Sequence, residues 1–226
     1  LESEGSAEVI HQENRGKIAA LTTGVREGNL VYAFLIDDDV SIRKSIEYAG
    51  KTLDDVISDE VSRLSQIDSG VCIVYPVGAR NRDRSTLTRI QHVEHLIPTY
   101  FARKFMGSGL YIGGTGSLWK AREFLEVAGL HSGVHYGDDI ETTLIVLGSG
   151  KSILFSDKLI LLADLKESLK SWFKQRLIWE YGKWRLLPRY WREILVHSHV
   201  NVYYFASISL IASLFFRLAP LLYVAS

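Results

Sequence analysis

The chain has 226 residues, with 26 Lys and Arg against 26 Asp and Glu, so its formal net charge is zero. That length holds a domain core of about 150 residues with sequence to spare, and the neutral total is not the footprint of a nucleic-acid-binding chain. The single cysteine, Cys72 in the apolar run VCIVY, excludes an internal disulfide and fits a reducing compartment.

The opening residues, LESEGSAEVIHQENRG, lack the positive-then-apolar pattern of a signal peptide and read as the interior of an α/β unit, hence as part of a longer chain. Residues 8–11 are expected as a short strand. After Asn14-Arg15-Gly16-Lys17, the residues Ile18, Leu21 and Val25 fall at helical spacing, and Gly28 and Asn29 end that helix. Residues 30–36, LVYAFLI, form a continuous apolar run that predicts a strand buried on both faces, as in a parallel sheet. It stops at three carboxylates, Asp37, Asp38 and Asp39. Residues 41–50 and 53–64 read as two amphipathic helices and residues 70–77 as a second buried strand. A polar, basic loop, GARNRDRST, precedes a long helix over 87–104, with Leu87, Ile90, Val93, Leu96 and Ile97 as its apolar residues. Residues 110–112 read as a short strand leading into a loop, Gly113-Gly114-Thr115-Gly116-Ser117. A helix over 118–127, closed by Gly129, follows. A loop with His131 and His135 then reaches Gly137-Asp138-Asp139, which opens a helix through Leu147; residues 152–155 are the last strand. This alternation is the pattern of an α/β sheet.

From Lys166 the composition changes. Trp172, Trp179, Trp184 and Trp191 are interleaved with eight Lys and Arg up to Arg192, which suits an amphipathic helix at a membrane interface. Residues 194–216 then run for 23 positions without Lys, Arg, Asp or Glu. As helix that is about 35 Å, enough to cross a hydrocarbon core of about 30 Å. The expected organisation is a catalytic domain over 1–165, interface helices over 166–193 and a transmembrane segment over 194–226.

Strand ends are where open α/β sheets bind ligands, and three adjacent carboxylates repel one another unless a cation or donor neutralises them. Side chains alternate along an extended chain, so Asp37 and Asp39 point the same way and Asp38 points away, giving D-x-D: two oxygen ligands for a hard cation such as Mg²⁺ or Mn²⁺. The plainer reading is a solvated acidic turn. Asp138 and Asp139, at a helix start, are also good capping residues. The glycine loop is also an ordinary strand-to-helix turn. Gln175 and Trp179 share a helix face and need no role beyond an interface.

In order, however, these stretches (NRGKIAAL, LIDDDV, GGTGSLWKAREFLEVAGL, GDDIETTL, QRLIW, then an apolar segment) closely resemble the membrane-integrated family 2 glycosyltransferases, the group of cellulose, chitin and hyaluronan synthases. The resemblance covers nearly the whole chain from Asn14. It implies a GT-A-like domain that moves a sugar from a UDP- or GDP-sugar to a growing polysaccharide with inversion. Single transfer to a lipid acceptor and an inactive membrane scaffold are the alternatives. It further implies the plasma membrane as location, with the catalytic domain cytoplasmic. Asp37 and Asp39 then hold Mg²⁺ or Mn²⁺, and Lys17, Asp37 and Asp38 bind the donor. Asp139 is the general base with Asp138 beside it, and Gly116, Ser117, Gln175 and Trp179 contact the acceptor. The family has an Arg where this chain has Ile178, so Arg176 or Lys183 is the expected substitute at the diphosphate. The family's first strand and its base-contacting Asp are expected upstream of Leu1.

Overall fold

The computed structural model of the chain describes residues 9–133 and 136–197. It is an α/β domain with two mixed sheets, compatible with a Rossmann-like layout. A four-stranded sheet is built from β1 (Tyr32–Ile36), β3 (Gly70–Val74), β5 (Gly116–Lys120) and β6 (Ser152–Phe155), in the order β1-β5-β3-β6. A three-stranded sheet, β2-β7-β4, uses β2 (Ser41–Lys44), β4 (Val77–Ala79) and β7 (Leu159–Ala163). β5 runs antiparallel to both of its neighbours, whereas β3 and β6 are parallel.

Helices α1 (Lys17–Glu27), α5 (Ala121–Gly129), α6 (Asp138–Gly148) and the second half of α7 (Leu169–Val196) cover one face of the larger sheet, over Cys72, Val74 and Trp119. On the other face, α2 (Leu53–Ser65) and β7 pack on Ile73, Tyr75 and Leu118. Adjacent residues of β3 thus serve opposite layers, which is why that strand is buried at every position. α2 begins with a reciprocal cap: Thr52 accepts from the Asp55 N–H, and the Asp55 carboxylate accepts from the Thr52 N–H.

Several expectations are corrected. β1 is an edge strand, antiparallel to β5 and unpaired on its other side among the described residues; Val31 is 76% exposed. An apolar run alone does not distinguish a central strand from an edge whose side chains rest on helices. Residues 41–50 are not a helix, because Ser41–Lys44 pairs with β7 and only one short turn, Ile46–Tyr48, follows. Leu118 and Trp119 belong to β5 at the sheet's centre rather than to a helix, which starts at Ala121. Residues 110–112 form no strand, and neither do residues 9–11; Glu8 lies outside the described residues. The helix expected over 87–104 is present as α3 (Thr86–Leu96), a wide π-helical turn over Ile97–Ala102, and α4 (Arg103–Met106). Pro98 lies inside that turn, where its missing N–H removes a helical bond. Ile90, Val93 and Ile97 point outward, and Thr88, Gln91 and Thr99 inward.

The boundary expected at 193 is crossed by α7, one helix to Val196 that bends at Tyr190, two residues after Pro188. No helix among the described residues is long and apolar enough to cross a membrane. The transmembrane segment expected over 194–226 lies almost wholly outside the described residues, as does His135.

Candidate functional site

The site gathers at the end of β1, the start of α1, the turn before β5 and the start of α6. The extended chain ends at Ile36. Asp37 N–H donates to the Thr115 carbonyl at 3.3 Å, and Val40 N–H closes a turn on the Asp37 carbonyl at 3.1 Å. The three acids therefore lie on a turn, and the alternation expected to align Asp37 with Asp39 does not apply. Asp37 is half-buried, whereas Asp38 and Asp39 are exposed. The Arg80 guanidinium, held by Asp164 at 2.8 Å, donates to the Asp39 carbonyl at 2.9 Å and fixes the turn from behind. Arg80 sat unremarked in a basic loop; nothing local in GARNRDRST distinguishes it from its neighbours.

Lys17 is the first residue of α1. Gly16 before it has φ 90°, a left-handed value open to glycine, and its N–H donates to Asn14 Oδ1 at 3.1 Å. This turn delivers the Lys17 ammonium to Asp37 Oδ1 and, at 2.6 Å, to the Gly114 carbonyl. A Cβ built on Gly114 would lie 3.5 Å from Lys17 Nζ and 3.9 Å from Asp139 Oδ2, ordinary contact distances that put this turn beside both groups. Gly114 is thus the glycine of the loop that lies at the site. Gly116 and Ser117, expected at the acceptor, are buried in β5, where the Ser117 hydroxyl accepts from the Trp119 indole at 2.8 Å. The loop is shorter than the motif suggested because Gly116 already pairs with Ile36.

Asp138 and Asp139 open α6 behind Gly137, whose φ is 98°. Asp139 Oδ1 accepts the Ile140 N–H at 2.9 Å. Burial pushes its carboxyl above the usual carboxylate range; the Ile140 N–H opposes this, Asp138 adds to it and the Lys17 charge opposes it. Desolvation thus outweighs the terminal N–H, which by itself would depress the value. Asp37 is also raised, by burial first, against the Lys17 hydrogen bond. Perturbed carboxyls with a specific cation between them are a recognised mark of functional placement.

The carboxylate on the same helix that sequence reasoning missed is Glu141. Fully buried, it accepts from the Ser132 N–H at 2.9 Å and the Tyr190 hydroxyl at 2.8 Å, and lies 3.3 Å from His131 Nδ1. Burial raises its pKa, but the hydrogen bonds of His131, Ser132 and Tyr190 outweigh that and hold it at about 2. It ties the 131–133 loop, α6 and α7 together. A charged residue inside DDIETTLIVL was the available signal.

α7 approaches the start of α6 through Gly182. A Cβ there would meet the Tyr136 carbonyl oxygen at 2.5 Å and the Gly137 nitrogen at 2.9 Å. Comparison with family models and with curated proteins returns no match. The next residue, Lys183, is buried, pairs with Glu180 at 2.6 Å, and has its ammonium pulled below the usual lysine range by burial, against the charges of Glu180 and Asp139. Arg176, the other expected diphosphate cation, is committed elsewhere: it pairs with Glu94 of α3 at 2.8 Å and lies over Trp179, 4.3 Å from the ring centroid. Trp179 is 42% exposed and meets His95 edge-on; Gln175, one turn earlier, is half-buried. Ile178 is one turn before Gly182 on α7 and half-buried.

A cleft of about 620 Å³ opens between α1 and the start of α6, with Arg15, Lys17, Arg26, His131 and Asp138 among its lining. Arg15 pairs there with Glu13 at 3.1 Å and Lys17 with Asp37, so an anionic ligand would have to take these cations from their carboxylates. A site for Mg²⁺ or Mn²⁺ would use the oxygens of Asp37 and Asp39, the right chemistry for a hard cation. Among the described residues no cluster of three or more His, Cys, Asp or Glu is gathered to hold one. The remaining ligands would have to come from a bound molecule, as phosphate oxygens commonly do for Mg²⁺.

Proposed function

We propose that the chain is the GT-A-like catalytic part of a membrane glycosyltransferase, moving a sugar from a nucleoside-diphosphate sugar to an acceptor hydroxyl with inversion. The observation that carries the reading is the meeting of Lys17, Asp37, Gly114 and Asp139. They come from four separated segments, and each belongs to a motif that resembles the family 2 enzymes in order.

The roles follow from the chemistry. A sugar leaving its diphosphate puts negative charge on the phosphate oxygens as the bond breaks. Lys17 and the cations of the adjoining cleft are placed to bind such a group. A divalent ion held by Asp37 and Asp39 would supply further stabilisation of that charge. Asp139 takes the proton of the attacking hydroxyl, and its raised pKa makes it a better base than an ordinary Asp. Lys183 supports the diphosphate or the ionised base from the α7 side. Trp179, with an exposed indole, offers an apolar platform for an acceptor sugar.

The membrane assignment is supported by α7. Phe173, Leu177, Tyr181, Trp184, Trp191 and Leu195 recur along one side and are each between 39% and 58% exposed. Lys170, Lys174, Arg185, Arg189 and Arg192 are interleaved with them, the composition of a helix lying in an interface. An inactive scaffold is the second reading, favoured by Ile178 and by the commitment of Arg176 to Glu94.

The test is transfer from UDP- and GDP-sugars by full-length protein in native membranes. Turnover should require Mg²⁺ or Mn²⁺ and be lost in Asp39→Asn while the protein stays folded and membrane-bound. Full activity in excess chelator contradicts the metal role. No turnover with any donor, but a gain in Ile178→Arg, supports the scaffold.

A further inference from the structure

The turn before β5 is held by two buried side chains, Arg103 of α4 and Thr143 of α6. The Arg103 guanidinium donates to the Tyr75 carbonyl at 2.8 Å and to the Tyr111 carbonyl at 2.7 Å, and lies 4.7 Å from the centroid of the Tyr111 ring. A buried guanidinium is costly unless such bonds satisfy it, so its place marks a junction of the fold. The Thr143 hydroxyl accepts the Ile112 N–H at 2.9 Å and donates to the Asp139 carbonyl at 2.8 Å. A threonine inside a helix commonly makes the second of these bonds. The first reaches a different segment, 31 positions away.

The backbone between these anchors is not relaxed. Leu110 has φ 56°, a left-handed value that leucine rarely adopts. A Cβ on Gly109 would meet Ile153 Cγ2 at 2.2 Å, so the chain is pressed against β6 there. Such a conformation persists only where its surroundings over-determine it. From Ile112 the chain runs on to Gly114, whose carbonyl receives the Lys17 ammonium, and to Thr115, whose carbonyl receives the Asp37 N–H. One hydroxyl therefore ties the residue bearing the Asp139 carboxyl to the turn that carries contacts to Lys17 and Asp37.

We propose that Thr143 is a positioning residue of the site: by fastening Ile112 to the start of α6, it sets the place of Asp139 relative to Lys17 and Asp37. The inference rests on reading Asp139 as the base, and goes beyond it by naming what keeps the base in register with the donor groups. Thr143 itself touches no reacting atom. A misplacement of about 1 Å in such a constellation can lower a rate by about 10²-fold.

Thr143→Val keeps the shape of the side chain and removes both hydrogen bonds, whereas Thr143→Ser keeps the hydroxyl. The measurement is kcat and donor KM of full-length protein in native membranes, per folded protein and well below the melting midpoint. Thr143→Val should lower kcat at least about tenfold with donor KM little changed, and Thr143→Ser should restore it. Amide hydrogen exchange gives a readout apart from turnover. In Thr143→Val the amides of Ile112 and Asp37 should exchange faster, while those of β3 stay as in wild type. If Thr143→Val keeps the wild-type kcat while Asp139→Asn loses about 10²-fold or more, the positioning role is overturned and the base stands. A loss in Thr143→Val that Thr143→Ser shares in full is a loss of packing, and overturns the role likewise. If Asp139→Asn is near normal, both readings are overturned. Unchanged exchange at Ile112 in Thr143→Val overturns the role whatever the turnover.

Discussion

Gly182→Ala sets two effects of known size against each other. In an open helix, Ala in place of Gly stabilises by about 1 kcal/mol. Here the new methyl would sit 2.5 Å from the Tyr136 carbonyl oxygen, 2.6 Å from its carbon and 2.9 Å from the Gly137 nitrogen. All three are backbone atoms, which cannot turn aside as a side-chain end can. Overpacking of this kind costs about 1–3 kcal/mol, so the clash outweighs the propensity gain or α7 backs away from α6. At about 2–4 °C per kcal/mol for a chain of this size, the melting midpoint should fall by several degrees. Lys183, the next residue, moves with the helix, so transfer should fall further than stability alone explains. Gly24→Ala is the control, because nothing lies within 4 Å of its Cβ position, and it should raise the midpoint slightly. The assay is thermal melting of full-length protein in detergent beside turnover in membranes. A Gly182→Ala protein as stable and as active as wild type would refute the close docking of α7 on the start of α6.

Two further outcomes follow. Glu141→Gln should destabilise by about 1–3 kcal/mol at neutral pH, since the buried charge facing His131, the Ser132 N–H and the Tyr190 hydroxyl is lost. The folded pKa of Glu141 is depressed to about 2, so its contribution is full above the unfolded value near 4.5 and is lost as pH falls toward 2. The gap between variant and wild-type melting midpoints should therefore narrow across that window; a constant gap would show that the carboxylate's charge is irrelevant. Lys183→Met should raise the donor KM by about tenfold, whereas Arg176→Ala should leave donor KM alone and lower the melting midpoint by loosening α7 from α3. The reverse pattern would give Arg176 the diphosphate.

Much of the site was legible because its chemistry is local in sequence. Asn14 to Lys17, the acids after β1 and Asp138-Asp139 each carry their turn or helix start within a few residues, and the structure brings Lys17, Asp37 and Asp139 together. What was misread depends on partners far along the chain. GSLWK looks helical beside AREFLEVAG, yet it is the strand between β1 and β3, because pairing with Tyr32–Ile36 decides the matter. SIRK became a strand only because Leu159–Leu162 lies beside it. The apolar run of β1 could not reveal that it stands at an edge. The Glu94 partner that commits Arg176 is 82 positions away, beyond the reach of any local pattern. Asp139's raised pKa reflects burial by the assembled fold, which no spacing rule reports.

A role for Asp139 in taking the acceptor's proton is read from the rate of sugar transfer against pH for wild type and Asp139→Asn, in membranes containing the full-length protein, with donor binding followed separately. Asp139→Asn should reduce the rate by about 10²–10⁴-fold with donor binding little changed. The wild-type rate should fall as pH drops through a pKa above the ordinary 3.8, because burial raises it and protonation removes the base. A near-normal rate in Asp139→Asn, with an unchanged pH profile, would leave Asp139 as no more than the opening residue of a helix.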